Sequence, residues 1–350
     1  MLDEIRIGHT AIGPGHEPFI IAEMSGNHDG SLDKALAIVD LAADAGAHAV
    51  KLQTYTADTI TLDVDSPDFR LKDDHELWGG RRLYDLYQEA HTPWEWHQPI
   101  FDRAAERGLL AFSSPFDPTA VDFLESLGVP AYKIASSEIV DLPLIRRAAA
   151  CGKPIIISTG MASLGEINAA VEAARAVGNE QIVVLSCTTS YPADPRDSNL
   201  RGIPVMRDAF GTMIGLSDHT LGIGAAIASV AFGAVLVEKH VTTDRASGGV
   251  DSAFSLEGPE LAALVRETRT AWQALGEPVI GARDAEAEGL RFRRSLYVTR
   301  DVAAGEVVGP DNVRSVRPAL GLAPDLFSVV EGRTFRRDVA RGTALSWDLI

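Results

Sequence analysis

Two histidines in this chain stand where a metal ion or a reacting carbonyl could be handled. His219 lies in Gly215-Leu-Ser-Asp-His-Thr220 and His240 closes Glu238-Lys-His240. Each follows an apolar run, Met213–Leu216 and Ala234–Val237, so each reads as the polar end of a buried strand. Residues two apart on a strand share a face. Ser217 therefore goes with His219 and Glu238 with His240, while Asp218 and Lys239 turn away. Adjacent strand ends would bring both imidazoles to one divalent metal with open positions for water and substrate. Two hydrogen-bonded histidines with no ligand would leave the same pattern, and these residues alone keep both readings open.

The lysines carry a second signal. Of 32 Lys and Arg only six are Lys, and Lys51, Lys133 and Lys239 sit inside apolar runs. A lysine in a buried strand is costly unless it is paired or holds an anion. Lysines converging with strand-end hydroxyls (Ser114, Ser136, Ser158, Thr189 and Ser217) suit a phosphate or carboxylate ligand.

These residues need elements that bring them together. Apolar runs begin at Phe19, Ala49, Leu109, Ala131, Pro154, Ile182, Thr212 and Ala234, and a helix or helix-sized connection follows each. The predicted helices include 32–45, 119–127, 142–150, 165–177, 222–232 and 259–275, with a short segment near 205–209. The runs are continuously apolar rather than alternating, as in a parallel sheet covered on both faces. Eight β-then-α units over roughly 260 residues predict an α/β TIM (β/α)8 barrel, with its reactive face at the C-terminal strand ends. A doubly wound open sheet is the alternative, and no Gly-x-Gly-x-x-Gly follows the first strand to favour it. In chain order those ends present Glu23, Asn27, His28, Lys51, Gln53, Ser114, Lys133, Ser136, Ser158, Thr188, Thr189, Tyr191, Ser217, His219, Glu238 and His240.

The connection from Thr56 to Leu109 is long and carries Leu77-Trp-Gly-Gly80, Leu83-Tyr-Asp-Leu-Tyr87 and Thr92-Pro-Trp-Glu-Trp-His97. It reads as a lid over the barrel mouth combined with a local apolar minicore, the second role weighing more for Trp94 and Trp96. Residues 1–276 form the expected barrel, 277–290 a polar linker, and 291–350 a small β-rich domain of short strands. In that domain Asp301-Val-Ala-Ala-Gly-Glu306 echoes Asp338-Val-Ala-Arg-Gly-Thr343. The net charge of −17 excludes a nucleic-acid surface, and no run reaches the length of a membrane span. The start lacks a signal-peptide pattern and two cysteines make no disulfide framework, so the cytoplasm is the expected compartment.

Several stretches together resemble the sialic acid synthase family, over nearly the whole chain. They are Phe19-Ile-Ile-Ala-Glu23 with Asn27-His28, Lys51-Leu-Gln-Thr54, Ser114-Pro-Phe116, Tyr132-Lys-Ile-Ala-Ser136, Ile157-Ser-Thr-Gly-Met161, Gly215–Thr220 and Glu238–His240. The final segment, with Arg294-Ser-Leu296 and Val316-Arg-Pro318, resembles the antifreeze-like (SAF) domain these synthases carry. Ser25-Gly-Asn-His28, Leu52–Thr59, Thr92–His97 and Gly248–Leu256 are most like the pseudaminate-forming branch. Members usually have Asn where Thr189 stands.

The resemblance implies a transferase that condenses phosphoenolpyruvate with an open-chain acetamido-deoxy sugar, giving a nine-carbon 2-keto acid and phosphate. The acceptor implied is 2,4-diacetamido-2,4,6-trideoxy-L-altrose. The N-acetylneuraminate and legionaminate reactions, on N-acetylmannosamine or 2,4-diacetamido-2,4,6-trideoxymannose, are the alternatives. It implies that His219 and His240 hold Mn²⁺, with Mg²⁺ or Co²⁺ as substitutes, and that Glu23, then Glu238, handles the attacking water. Lys51, Lys133, Ser114, Ser136, Ser158, Thr189 and Ser217 would cradle phosphoenolpyruvate. Asn27, Gln53, Tyr191 and Asp251 would hold the sugar, and Arg317 would reach a neighbour's site in a domain-swapped homodimer. A metal-dependent pyruvate aldolase and a non-catalytic sugar-binding protein are the rival readings.

Overall fold

A computed structural model describes residues 2–72 and 79–350 of the chain. It divides into two units, residues 1–276 and 277–350. The first opens with a hairpin of β1 (Ile5–Ile7) and β2 (Thr10–Ile12). The sequence reading contains no such hairpin, because three-residue strands are too short to show a period. Its Ile5, Ile7 and Ile12 are buried in the same cluster as Phe19, Ile155, Ile182 and Met213, the first residues of barrel strands. The hairpin thus seals the end of the barrel opposite the predicted reactive face.

Eight parallel strands then close on themselves. They are β3 (Phe19–Glu23), β4 (Ala49–Thr54), β5 (Leu110–Pro115), β6 (Tyr132–Ile134), β7 (Ile155–Ser158), β8 (Ile182–Cys187), β9 (Met213–Asp218) and β10 (Leu236–His240). β10 pairs with both β9 and β3, which closes the ring. This is the TIM barrel that the eight apolar runs predict, and the open sheet is excluded. The outer helices are α1 (Leu32–Asp44), α4 (His97–Glu106), α5 (Pro118–Ser126), α6 (Leu142–Ala149), α7 (Leu164–Arg175), α8 (Gly202–Phe210), α9 (Gly224–Ala231) and α10 (Gly258–Leu275). Side chains mark the starts: Ser31, Asp117, Asp141 and Ser163 each accept a backbone N–H of the first turn. The segment near 205–209 is the full helix α8. Among the described residues no helix is long and apolar enough to cross a membrane.

The insertion after β4 contains α2 (Ala57–Ile60) and α3 (Leu83–Ala90). The Trp94 ring stacks on Phe123 at 4.6 Å and Trp96 meets His28 edge-on at 5.5 Å, so both tryptophans staple the insertion to the barrel. Leu77 and Trp78, read as part of the lid, lie outside the described residues. The second unit pairs β11 (Ser295–Val298) with β12 (Val313–Val316) and adds α11 (Phe327–Val330). Two stretches read as strands, 303–308 and 338–345, are instead turns joined by single bridges. The echoing segments face each other: Val302 and Val339 exchange both backbone hydrogen bonds, at 3.0 and 2.9 Å. Asp301 accepts from the Arg341 N–H and Asp338 from the Ala304 N–H, each at 2.8 Å. The internal echo is therefore a reciprocal pair of capped turns.

Two buried histidines make the fold acid-sensitive. His97 sits against the Thr54 hydroxyl at 2.7 Å and His28 against Thr92 at 3.2 Å. Burial pushes both down to about 4. Below pH 6.5 the unfolded chain takes up protons that the folded chain refuses until about pH 4. The stabilisation is complete above 6.5 and is lost as pH falls through that window, up to about 3 kcal/mol per histidine. The urea midpoint should drop between pH 7 and pH 4.5, and less steeply in His97→Gln; equal slopes would assign the loss to other groups.

Candidate active site

The strand register assembles the site. Glu23 lies opposite Lys51 on β4 and opposite His240 on β10, Gln53 lies opposite Ser114, and Glu238 lies opposite Ser217. These side chains share a cavity of about 490 Å³ at the C-terminal mouth of the barrel. Of the residues expected to line this chain's own cavity, it holds all but Asn27 and Ser158.

Its floor is a four-charge cluster. The Lys51 ammonium is 2.6 Å from Glu23 Oε2 and 3.6 Å from Glu238 Oε1, and Lys133 is 3.1 Å from the same Glu238 oxygen. Each of the four side chains is at most 7% exposed. Ser114 accepts a hydrogen bond from Lys51 at 3.1 Å, and Ser217 donates to Glu238 at 3.3 Å. The two carboxyls are unlike. Burial raises Glu23 above the ordinary carboxylate range despite Lys51. Burial acts on Glu238 too, but Lys133 and Lys51 outweigh it and hold it low. Glu23 is thus the carboxyl poised to take a proton, and Glu238 the one that stays charged. The lysines divide the same way: burial lowers Lys51, whereas the two glutamates outweigh burial and raise Lys133.

Beside this cluster the rings of His219 and His240 lie 5.3 Å apart, packed with Tyr191 and Phe254. His219 Nδ1 lies 2.9 Å from the Thr188 carbonyl, and donating to it leaves Nε2 as a free acceptor. His240 Nδ1 is buried without a hydrogen-bond partner among the described residues, as are Thr189 Oγ1 and Glu238 Oε2. Burial, then neighbouring His219, keeps His240 well below its ordinary value and so neutral. Two adjacent imidazoles, that of His240 held neutral, beside orphaned polar atoms fit a metal ion that takes its other ligands from substrate and water. Among the described residues no third His, Cys, Asp or Glu completes a protein-only set.

Lys239 and Asp218 pair with each other at 2.8 Å outside the cavity, as alternation requires. Two expectations need correcting. Asn27 donates to the Val241 carbonyl and to Ser255, both at 2.8 Å, and clamps two loops behind the wall instead of facing the sugar. Ser158 ends β7 fully buried and outside the cavity lining, its hydroxyl without a hydrogen-bond partner among the described residues. Arg317 belongs to the second unit.

The cavity also holds residues the sequence reading passed over: Ser25, Tyr55, Glu138 and Cys187. Burial pushes Glu138 up to about 7, only partly offset by Lys133, which makes it a second proton-exchanging acid. Cys187 is pulled to about 7, His219 and Ser136 outweighing burial. Glu138 ends the run that starts at Ala131, and a charged residue closing an apolar run was the available signal. The opposite wall is apolar and comes from the insertion: Ile60, Leu71, Leu83, Leu86 and Tyr87. It supports the lid reading alongside the stapling by Trp94 and Trp96.

A NeuB family profile matches residues 38–279, and a SAF domain profile matches residues 293–350. The chain belongs to the NeuB family. Within it, the chain is 42% identical to a pseudaminic acid synthase of Campylobacter jejuni over 93% of this chain and 95% of that one. It is 39% identical to a pseudaminic acid synthase of Helicobacter pylori, over 95% and 97% of the two chains. Among solved NeuB-like structures, an N-acetylneuraminic acid synthetase of Leptospira borgpetersenii superposes with a TM-score of 0.73 at 33% identity. That match covers 83% of this chain and 96% of the other.

The four-charge floor makes a direct prediction. Lys51→Met strands Glu23 in a dry site and should cost about 3–5 kcal/mol in urea unfolding. Adding Glu23→Gln should recover more than half of that loss. A cost below about 1 kcal/mol for Lys51→Met would show that the floor is not dry.

Proposed function

We propose that this NeuB-family chain is a pseudaminic acid synthase. It condenses phosphoenolpyruvate with open-chain 2,4-diacetamido-2,4,6-trideoxy-L-altrose and releases phosphate. The observation that carries this reading is one cavity with two unlike walls: the buried Lys51–Lys133 anion floor, and the apolar wall of the insertion. The first suits a small trianion. The second suits an acceptor edged with methyl groups, as a 6-deoxy diacetamido sugar is. The names of the Campylobacter and Helicobacter relatives point the same way.

Lys51, Lys133, Ser114, Ser136, Thr189 and Ser217 bind the phosphate and carboxylate of phosphoenolpyruvate. Gln53, Tyr191 and Asp251 orient the sugar so that its aldehyde carbon faces carbon 3 of the enol. His219 and His240 would hold a divalent metal, Mn²⁺ before Mg²⁺ or Co²⁺, whose contribution is Lewis-acid polarisation of a carbonyl. Carbon 3 forms the new bond, and the acceptor oxygen gains a proton. Positive charge develops at carbon 2, stabilised by Glu238, which its lysine neighbours keep ionised. Water adds to carbon 2, one of its protons passing to Glu23 and balancing the proton gained by the acceptor oxygen, and the other leaves with phosphate as the C–O bond breaks to give the 2-keto acid. Proton handling of this kind is worth about 10²–10⁴ in rate. We place the reaction in the cytoplasm. We also propose a domain-swapped homodimer in which Arg317 of one copy serves the cavity of the other. The exposed Val140, Met161 and Leu221, in the segments between barrel strands and their helices, and Leu164, at the start of α7, support a covered mouth.

Phosphate release should require both phosphoenolpyruvate and an aldose, with the trideoxy-altrose preferred in kcat/KM over the diacetamido-mannose and N-acetylmannosamine. Thorough chelation should abolish turnover and Mn²⁺ restore it. Preference for N-acetylmannosamine would move the chain to the N-acetylneuraminate reaction, and turnover of pyruvate without phosphoenolpyruvate would make it an aldolase.

A further inference from the structure

Ser25 lies two residues past the end of β3 and holds φ at +49°, the left-handed region that favours glycine. It is 4% exposed and lines the cavity. A glycine would meet the backbone requirement without strain, so the serine side chain is explained by its contacts. Its hydroxyl donates a short hydrogen bond to Asp251 Oδ2 and accepts one from Gln53 Nε2 at 3.0 Å. The same Gln53 nitrogen donates to Glu23 Oε1 at 2.9 Å. Both amide hydrogens of Gln53 are thus spent within the protein, and its carbonyl oxygen is left to accept from a ligand. Asp251 also takes a hydrogen bond from the Gly26 backbone, and its carboxylate keeps lone pairs that can accept from a sugar hydroxyl. The chain Glu23–Gln53–Ser25–Asp251 runs from the reacting floor to the histidine pair, where Asp251 Oδ2 is 3.9 Å from His240 Nδ1.

We propose that Ser25 is a positioning residue for the acceptor sugar, its hydroxyl locking Gln53 and Asp251 into one orientation that presents two acceptor oxygens to the sugar's hydroxyl and amide donors. This inference rests on the proposed synthase reading. Among the described residues Ser25 makes no hydrogen bond to Lys51, Lys133 or Ser217, so the phosphoenolpyruvate floor should not register its loss.

Ser25→Ala removes the hydroxyl and keeps the strained backbone, while Ser25→Gly removes both. Saturation kinetics with phosphoenolpyruvate and with the aldose that wild type turns over fastest should separate the roles. Both variants should lose roughly 10-fold or more in kcat/KM for the aldose, because misplaced binding groups are costly. KM for phosphoenolpyruvate should stay within about 2-fold, and the melting temperature of Ser25→Gly should be no lower than that of Ser25→Ala. In an Asp251→Asn background the Ser25→Ala effect should shrink to about 2-fold, because the two act through one bond. An unchanged kcat/KM in both variants, an equal shift in the KM for phosphoenolpyruvate, or full additivity with Asp251→Asn would overturn the inference while leaving the synthase reading standing. No turnover by wild type with phosphoenolpyruvate and any aldose of the panel would overturn both.

Discussion

The site depends on burying two ammonium and two carboxylate groups together at the base of the barrel mouth. No single one of these charges could be there alone, since desolvation would neutralise or expel it. Together they are self-compensating, and the compensation is uneven. Glu238 lies within reach of both lysines, while Glu23 has one close lysine partner, and burial then tilts Glu23 towards the protonated form. An arriving anion takes up the lysines' charge and gives Glu23 further reason to accept a proton. The same four residues thus provide an anion site and a base whose readiness is tied to occupancy.

The fold serves that cluster through register. Closure of β10 on β3 sets His240 beside Glu23, and β3 on β4 sets Glu23 beside Lys51. The β1–β2 hairpin plugs the far end, so the polar mouth has one opening. The insertion adds the apolar wall, and Ser25 links the charged floor to the sugar-facing side chains.

Much of this was legible because strands buried on both faces read as unbroken apolar runs, against which Lys51, Lys133 and Glu238 stand out. Alternation alone separated Glu238 and His240 from Asp218 and Lys239. It stops helping once the strand ends. Asn27 and Ser25 lie two residues apart in one turn, and only the chain's path decides that Ser25 faces the cavity and Asn27 faces away. Glu138 and Cys187 share that difficulty, sitting at or just past strand ends. The echo of residues 301–306 and 338–343 was visible as similarity, but that each aspartate caps the other segment follows only from their facing each other.

The most direct test is equilibrium binding of phosphoenolpyruvate by calorimetry, comparing wild type with Lys133→Met, whose lost charge removes the partner that keeps Glu238 ionised. Wild type should bind, and Lys133→Met should bind at least roughly 10-fold more weakly, in keeping with loss of a buried charge-assisted contact. Equal affinity in a folded Lys133→Met variant would contradict the assignment of the four-charge floor as the anion site.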